Sequence, residues 1–290
     1  MLSPWLELPG VADHLTVLSA GTGLDLARLG TTADADEIKD TAVTQPLVVA
    51  TALLAAARLE VPATIVSAGH SVGELAAAAL AGVIDDATAV QLAAVRGRAM
   101  GEACAVTSTS MAAVMNPDTD SVLALLAERE LVGANVNGGG QIVAAGASDA
   151  IADLVASPPP GTRVIGLSVA GAFHTAYMAP AEDLFAGAVA RVTPGDPQGP
   201  LLTNSDGSVV NSGARYLDLL VAQITSPVRW DRCLATFADL GVTGVLELPP
   251  AGTLVGLVRR ELKGVATLAL KSPDDLEPAI AFIAEHGGVA

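Results

Sequence analysis

Basic residues are scarce in this chain: Lys and Arg number 15 against 31 Asp and Glu, for a net charge of −16. Contact with phosphate needs a basic surface, so the balance excludes a general nucleic-acid binder or a protein of anionic membranes. An acidic partner would have to meet a local basic patch, for which Arg98, Arg259, Arg260 and Lys263 are the candidates. Aromatic residues make up only 3% of the chain. Its apolar half is therefore built from Ala, Val and Leu. Cysteine is nearly absent, with Cys104 and Cys233 far apart and without metal-ligand spacing. Neither a disulfide framework nor a structural zinc site follows from two such residues, and a reducing, cytoplasmic setting is expected. Long apolar runs are lacking too. The longest, over 47–57, is too short to cross a bilayer and closes at Arg58, which reads as a core helix. Residues 1–10 have no basic segment of the kind that opens a signal peptide.

What is present alternates between buried strands and amphipathic helices. Residues 63–66 read as a short buried strand, 69–73 as a tight turn and 74–81 as an Ala-rich helix. Further along come a strand over 243–248, a helix over 253–262, a strand over 266–270 and a helix over 274–285. This alternation predicts an α/β protein with a parallel sheet covered on both faces. The middle differs. Strands over 111–115, 131–136, 141–145 and 163–169 enclose helices over 118–128 and 148–156, the second capped by Ser148. The order β-α-β-β-α-β predicts a ferredoxin-like unit over 107–170, inserted into a large domain formed by 1–106 and 171–290.

The chemistry centres on Gly69-His70-Ser71-Val72-Gly73, a G-x-S-x-G. Such a serine sits on a sharp strand-to-helix turn, with glycines permitting close backbone approach. The Val72 N–H, at the helix start, can donate to an oxyanion. Of four histidines, His14 lies in a loop-like stretch, His70 should point away from Ser71, and His286 is near the end of the chain. His174, where the small unit returns to the large one, stands where a cleft opens. Arg96 lies among Leu92, Ala93, Val95 and Met100, which can turn its guanidinium inward as a fork for a carboxylate.

With Gly69-His70-Ser71-Val72-Gly73-Glu74, Arg96 and Gly171-Ala172-Phe173-His174 in view, the chain resembles malonyl-CoA:acyl-carrier-protein transacylases and the acyltransferase domains of polyketide and fatty-acid synthases. Supporting stretches are Thr44-Gln45-Pro46, residues 135–141, Thr225-Ser226-Pro227-Val228-Arg229-Trp230 and Pro249-Pro250-Ala251-Gly252. The resemblance implies an α/β-hydrolase-like large domain with the ferredoxin-like insertion. It implies ping-pong transfer of malonyl from coenzyme A to acyl carrier protein, with Ser71 as nucleophile and His174 as base. Arg96 pairs with the free malonyl carboxylate, and Gln45 and Asn137 fall among the substrate-binding residues. The partner that orients His174 is expected in the 249–252 loop. Phe173 before the histidine goes with malonyl rather than a branched extender, because a ring leaves little room for an α-methyl group. No metal or redox cofactor is implied, and a discrete monomer is expected.

The family opens with a strand leading into a Gly-Gln-Gly-Ser-Gln loop, and residues 1–5 here look like the segment just after it. The expectation is therefore a start at an internal methionine, with an interior strand and one oxyanion donor lacking. One such donor is typically worth about a hundred- to a thousand-fold in rate. Two other readings compete. An α/β-hydrolase-type esterase or thioesterase would use Ser71, Asp231 and His286 in that chain order. A non-catalytic relative would bind carrier protein or coenzyme A without turnover.

Overall fold

A computed structural model describes residues 1–116 and 118–287. Four short helices, α1 (Ser3–Leu6), α2 (Val11–Ser19), α3 (Leu26–Thr31) and α4 (Ala35–Lys39), lead into α5 (Thr41–Ala56). Asp40 caps α5 by accepting from the Ala42 N–H at 2.9 Å. Because its sequence is apolar nearly all round, α5 is buried along its length. It packs against α7 (Asp86–Cys104), which Asp85 caps through the Thr88 N–H. Between them comes α6 (Gly73–Leu80), whose Leu75, Ala76, Ala77 and Ala78 join the same core. Gly97 makes the α5–α7 contact possible: a Cβ there would stand 2.5 Å from the Thr41 carbonyl oxygen. The small residue brings α7 onto the first turn of α5, so that Arg96 meets Gln45.

The middle of the chain forms β1 (Thr109–Met115), α8 (Thr119–Glu128), β2 (Val132–Gly138), β3 (Gln141–Ala147), α9 (Ser148–Ala156) and β4 (Arg163–Gly166). The spatial order β4-β1-β3-β2 with antiparallel pairing is the ferredoxin-like arrangement expected from the sequence. One face carries α8 and α9 over Val114, Val136, Ile142 and Ala144. The other face, through Met111, Ala134, Val143 and Ala145, packs on Ala172 and Phe173. In α9 the cap differs from expectation. Ala147 holds the N-cap position without a side-chain bond, and the Ser148 hydroxyl pairs instead with that of Ser108 at 2.9 Å.

The remainder contains α10 (Ala179–Val189), α11 (Gly213–Ala222), β5 (Val228–Arg229), α12 (Trp230–Asp239), β6 (Gly244–Glu247), α13 (Thr253–Glu261), β7 (Ala266–Ala269) and α14 (Leu276–His286). Parallel pairing joins β5 to β2 and β6 to β7. The expected strand over 63–66 does not form; the nearest pairing is a single parallel bridge just beyond it, Ser67 to Leu201. The reason is a missing neighbour. The chain pairs on one side only, at Ser67, and residues 64–67 line an apolar groove of about 660 Å³ that β6 also lines. Among the described residues no helix is long and apolar enough to cross a membrane.

Gly97→Ala should destabilise the fold by about 1–3 kcal/mol, because backbone rather than a flexible side chain occupies the space. Denaturant midpoints check this; an unchanged midpoint would mean that α5 and α7 lie farther apart than described.

Candidate active site

The turn before α6 holds Ser71 in the left-handed region, at φ 53°. A non-glycine residue there is strained and must be fixed by its surroundings. Asn204 does so, accepting from the Ser71 N–H and donating to the Gly69 carbonyl, both at 2.7 Å. The two glycines of the motif are not equivalent. A Cβ on Gly69 would lie 2.0 Å from the Gly73 carbonyl carbon, whereas one on Gly73 would meet open space. The close approach is thus demanded at Gly69 alone.

His174 also has a positive φ, 60°, and is buried. Its Nε2 lies 2.7 Å from Ser71 Oγ, and its Nδ1 lies 2.8 Å from the Gln223 carbonyl oxygen. A carbonyl only accepts, so Nδ1 carries the hydrogen and Nε2 presents its lone pair to the serine hydroxyl. The orienting partner is therefore not in the 249–252 loop, as expected from the resemblance. Gln223 follows the last residue of α11, where a helix leaves its final carbonyls without internal partners. The 249–252 loop is held elsewhere, by the Glu247 carboxylate accepting from the Gly252, Leu254 and Val255 N–H groups at 2.9 Å each.

Arg96 is 2% exposed and points into this centre. Nη1 donates to Gln45 Oε1 and Nη2 to Gln223 Oε1, both at 2.7 Å, and Nη2 stands 3.3 Å from Ser71 Oγ. Burial lowers the guanidinium to about 10, partly offset by Glu74, so it remains charged at neutral pH. Burial, and secondly the Arg96 charge, push His174 down to about 3. Burial raises the Glu74 carboxyl above its ordinary value, while the Asn204 N–H and the Arg96 charge pull it back.

Ser71, His174, Arg96 and Gln45 are thus brought together in one hydrogen-bonded cluster. The Val72 N–H makes no hydrogen bond among the described residues and remains available to an oxyanion. Phe173 is half-buried beside His174, packed between the main core and the small sheet. Asn137 is set back from Ser71: its Oδ1 lies 2.8 Å from His70 Nε2, and its amide donates to Gln141. His70 packs edge-on against Trp230, which accords with a packing role. The acid and base of the esterase reading do not meet. Asp231 accepts from Nε and Nη2 of Arg229, and His286 pairs with Thr243. The sequence missed Gln223 and Asn204. The first lies two residues before the Thr225–Trp230 match, and the second sits in a polar turn that carries no motif. Among the described residues no cluster of His, Cys, Asp and Glu could hold a metal.

A serine hydroxyl bonded to a neutral imidazole can be activated as a nucleophile, and a cation beside it favours an anionic acyl group. With His174 near 3, this base stays neutral where an ordinary histidine would be protonated. Acylation of Ser71 should therefore hold its rate from pH 7 to about 5, with no inflection near 6.5; single-turnover rates across that range check it. Stability has its own sign. The unfolded chain takes up the His174 proton below about 6.5 and the native one does not, so this residue's contribution falls as pH drops toward 3.

Comparison with known proteins extends the likeness over most of the chain. The family model described as acyl transferase domain matches residues 12–275. The malonyl CoA-acyl carrier protein transacylase of Mycolicibacterium smegmatis is 55% identical, covering 96% of this chain and 98% of that protein. The crystal structure of MCAT from Mycobacterium tuberculosis superposes with a TM-score of 0.92 at 52% identity, covering 96% of this chain and 94% of the other. A complex of a type II polyketide acyl-carrier protein with its malonyl-transacylase, PlMCAT:AntF, gives a TM-score of 0.88 at 28% identity over 97% and 94% of the two chains. Matching from residue 12 to residue 275 around a serine, a histidine and an arginine drawn together in the fold, the chain belongs to the acyl transferase domain family.

Proposed function

We propose that the chain transfers a malonyl group from coenzyme A to the phosphopantetheine thiol of acyl carrier protein, through a malonyl ester of Ser71. The observation that carries the choice of acyl group is Arg96, a buried guanidinium whose Nη2 lies 3.3 Å from the nucleophilic oxygen. An uncompensated carboxylate is costly in such a site, whereas one paired with the fork gains charge-assisted hydrogen bonds. An acyl group with a free carboxylate is thereby favoured over acetyl. The transacylases to which the chain is similar are named for the same transfer.

In the first half-reaction His174 Nε2 takes the proton of Ser71 as Oγ attacks the thioester carbonyl. The oxyanion accepts from the Val72 N–H, and the departing thiolate of coenzyme A recovers the proton from His174. The low proton affinity of His174 makes the imidazolium short-lived and the return of its proton favourable. In the second half-reaction the carrier thiol gives its proton to His174, attacks the malonyl ester, and leaves Ser71 protonated again. Serine, histidine and backbone suffice, so we read the chemistry as needing no metal or redox cofactor, in a cytoplasmic monomer. Of the candidate docking cations, Arg259 and Arg260 lie in the last turn of α13 and Lys263 just beyond it. Arg260 rests against Gly139 of the small sheet's turn, beside the cleft.

Incubation with malonyl-CoA should add one malonyl mass to the intact protein, and Ser71→Ala should abolish it. A folded protein left unlabelled would overturn the transfer and favour a binding role. Phe173→Ala should raise kcat/KM for methylmalonyl-CoA relative to malonyl-CoA by roughly tenfold, since one methyl in a tight pocket is worth about 1–3 kcal/mol. An unchanged ratio would remove Phe173 from substrate selection.

A further inference from the structure

Glu74 is 1% exposed, and no step of acyl transfer uses its carboxylate. One oxygen accepts from the Asn204 N–H at 2.6 Å, and the other accepts from Gln223 Nε2. Both face N–H donors, which favours the ionised form against the rise to about 8 that burial imposes. The same Gln223 amide gives its oxygen to Arg96 Nη2. A guanidinium has donors only, so Gln223 must turn its oxygen toward Arg96 and find an acceptor for its nitrogen elsewhere. The Ser71 carbonyl and Asn204 Oδ1 are within reach but long, at 3.3 Å each. The close acceptor is Glu74. Turning the amide over would set N–H against N–H at Arg96 and oxygen against oxygen at Glu74, two unpaired contacts in a buried site.

We propose that Glu74 is the positioning residue for acyl-group selection: its carboxylate fixes which way round the Gln223 amide sits, and through that amide aims Arg96 at the acyl group on Ser71. Glu74 touches neither substrate nor reacting atoms. Its influence reaches the substrate in two links, carboxylate to amide and amide to guanidinium. The inference rests on the reading of Arg96 as partner of the free acyl carboxylate.

The chemistry of the relay suggests its own test, a transposition of acid and amide. In Glu74→Gln the new amide keeps an oxygen for the Asn204 N–H and turns a nitrogen toward Gln223, which must flip and present its own nitrogen to Arg96. In Glu74→Gln/Gln223→Glu the nitrogen of residue 74 meets a carboxylate, whose other oxygen accepts from Arg96 again. The readout is the ratio of kcat/KM for malonyl-CoA over acetyl-CoA, with thermal midpoints recorded alongside. Glu74→Gln should lower the ratio about tenfold, chiefly through KM for malonyl-CoA, and the double variant should recover most of it. A residue needed only for folding would shift the midpoint without moving the ratio, and transposition would not restore it. A wild-type ratio in Glu74→Gln, or a double variant no better than Glu74→Gln, overturns the proposal. If Glu74→Gln does not fold, Gln223→Met, which keeps the carbonyl for His174 and removes the amide, must lower the ratio, and an unchanged ratio overturns the relay. Arg96→Ala separates the two levels. If it leaves the ratio intact, the reading of Arg96 fails and takes the relay with it. If it collapses the ratio while Glu74→Gln does not, only the role of Glu74 fails.

Discussion

The contact between Ser71 and His174 depends on the hydrogen bond from His174 Nδ1–H to the Gln223 carbonyl. It decides the tautomer and leaves Nε2 as an acceptor facing the hydroxyl. Without it the proton could sit on either nitrogen, and one of the two forms is useless as a base. The bond is neutral. With no acidic side chain behind the imidazole and a guanidinium nearby, a proton on His174 is poorly supported, and burial reinforces the effect. The base we propose is therefore a weak one placed at short range, where proximity substitutes for proton affinity.

Three packing units meet at this point. The small sheet fixes the Ala172 and Phe173 segment and with it His174. The close crossing of α5 and α7 at Gly97 delivers Arg96 to Gln45. The turn at 69–73, tied by Asn204, delivers Ser71. Gln223 touches all three, accepting from His174 through its carbonyl, accepting from Arg96 through its amide oxygen, and reaching toward the Ser71 carbonyl through its amide nitrogen. A loosening of any one unit is felt at the other two.

How legible this was in the sequence follows the physics of each element. The serine turn, the arginine between apolar neighbours and the β-α-β-β-α-β order could be read, because side-chain type and period carry them. The partner of His174 could not, since every residue owns a carbonyl and only the end of α11 in the fold tells which one faces the imidazole. Asn204 was invisible for a related reason: a polar residue in a turn is ordinary until something strained is found against it. The strand expected over 63–66 has apolar residues and strand-forming types, but a strand exists only with neighbours, and this one has a neighbour on one side. Glu74 stood inside the motif and was passed over as its last letter. An acid at the start of a helix usually serves the helix dipole, and here its carboxylate turns inward instead.

The paired side chains of Ser71 and His174 hang from residues in the left-handed region, at φ 53° and φ 60°. Such conformations cost on the order of 1–3 kcal/mol each, and glycine would adopt them freely. Replacing either by glycine would thus relax the backbone while removing the pair on which the proposed chemistry rests. Serine and histidine at these two backbone positions therefore carry a conformational cost that their neighbours, Asn204 and Gln223 among them, have to hold in place.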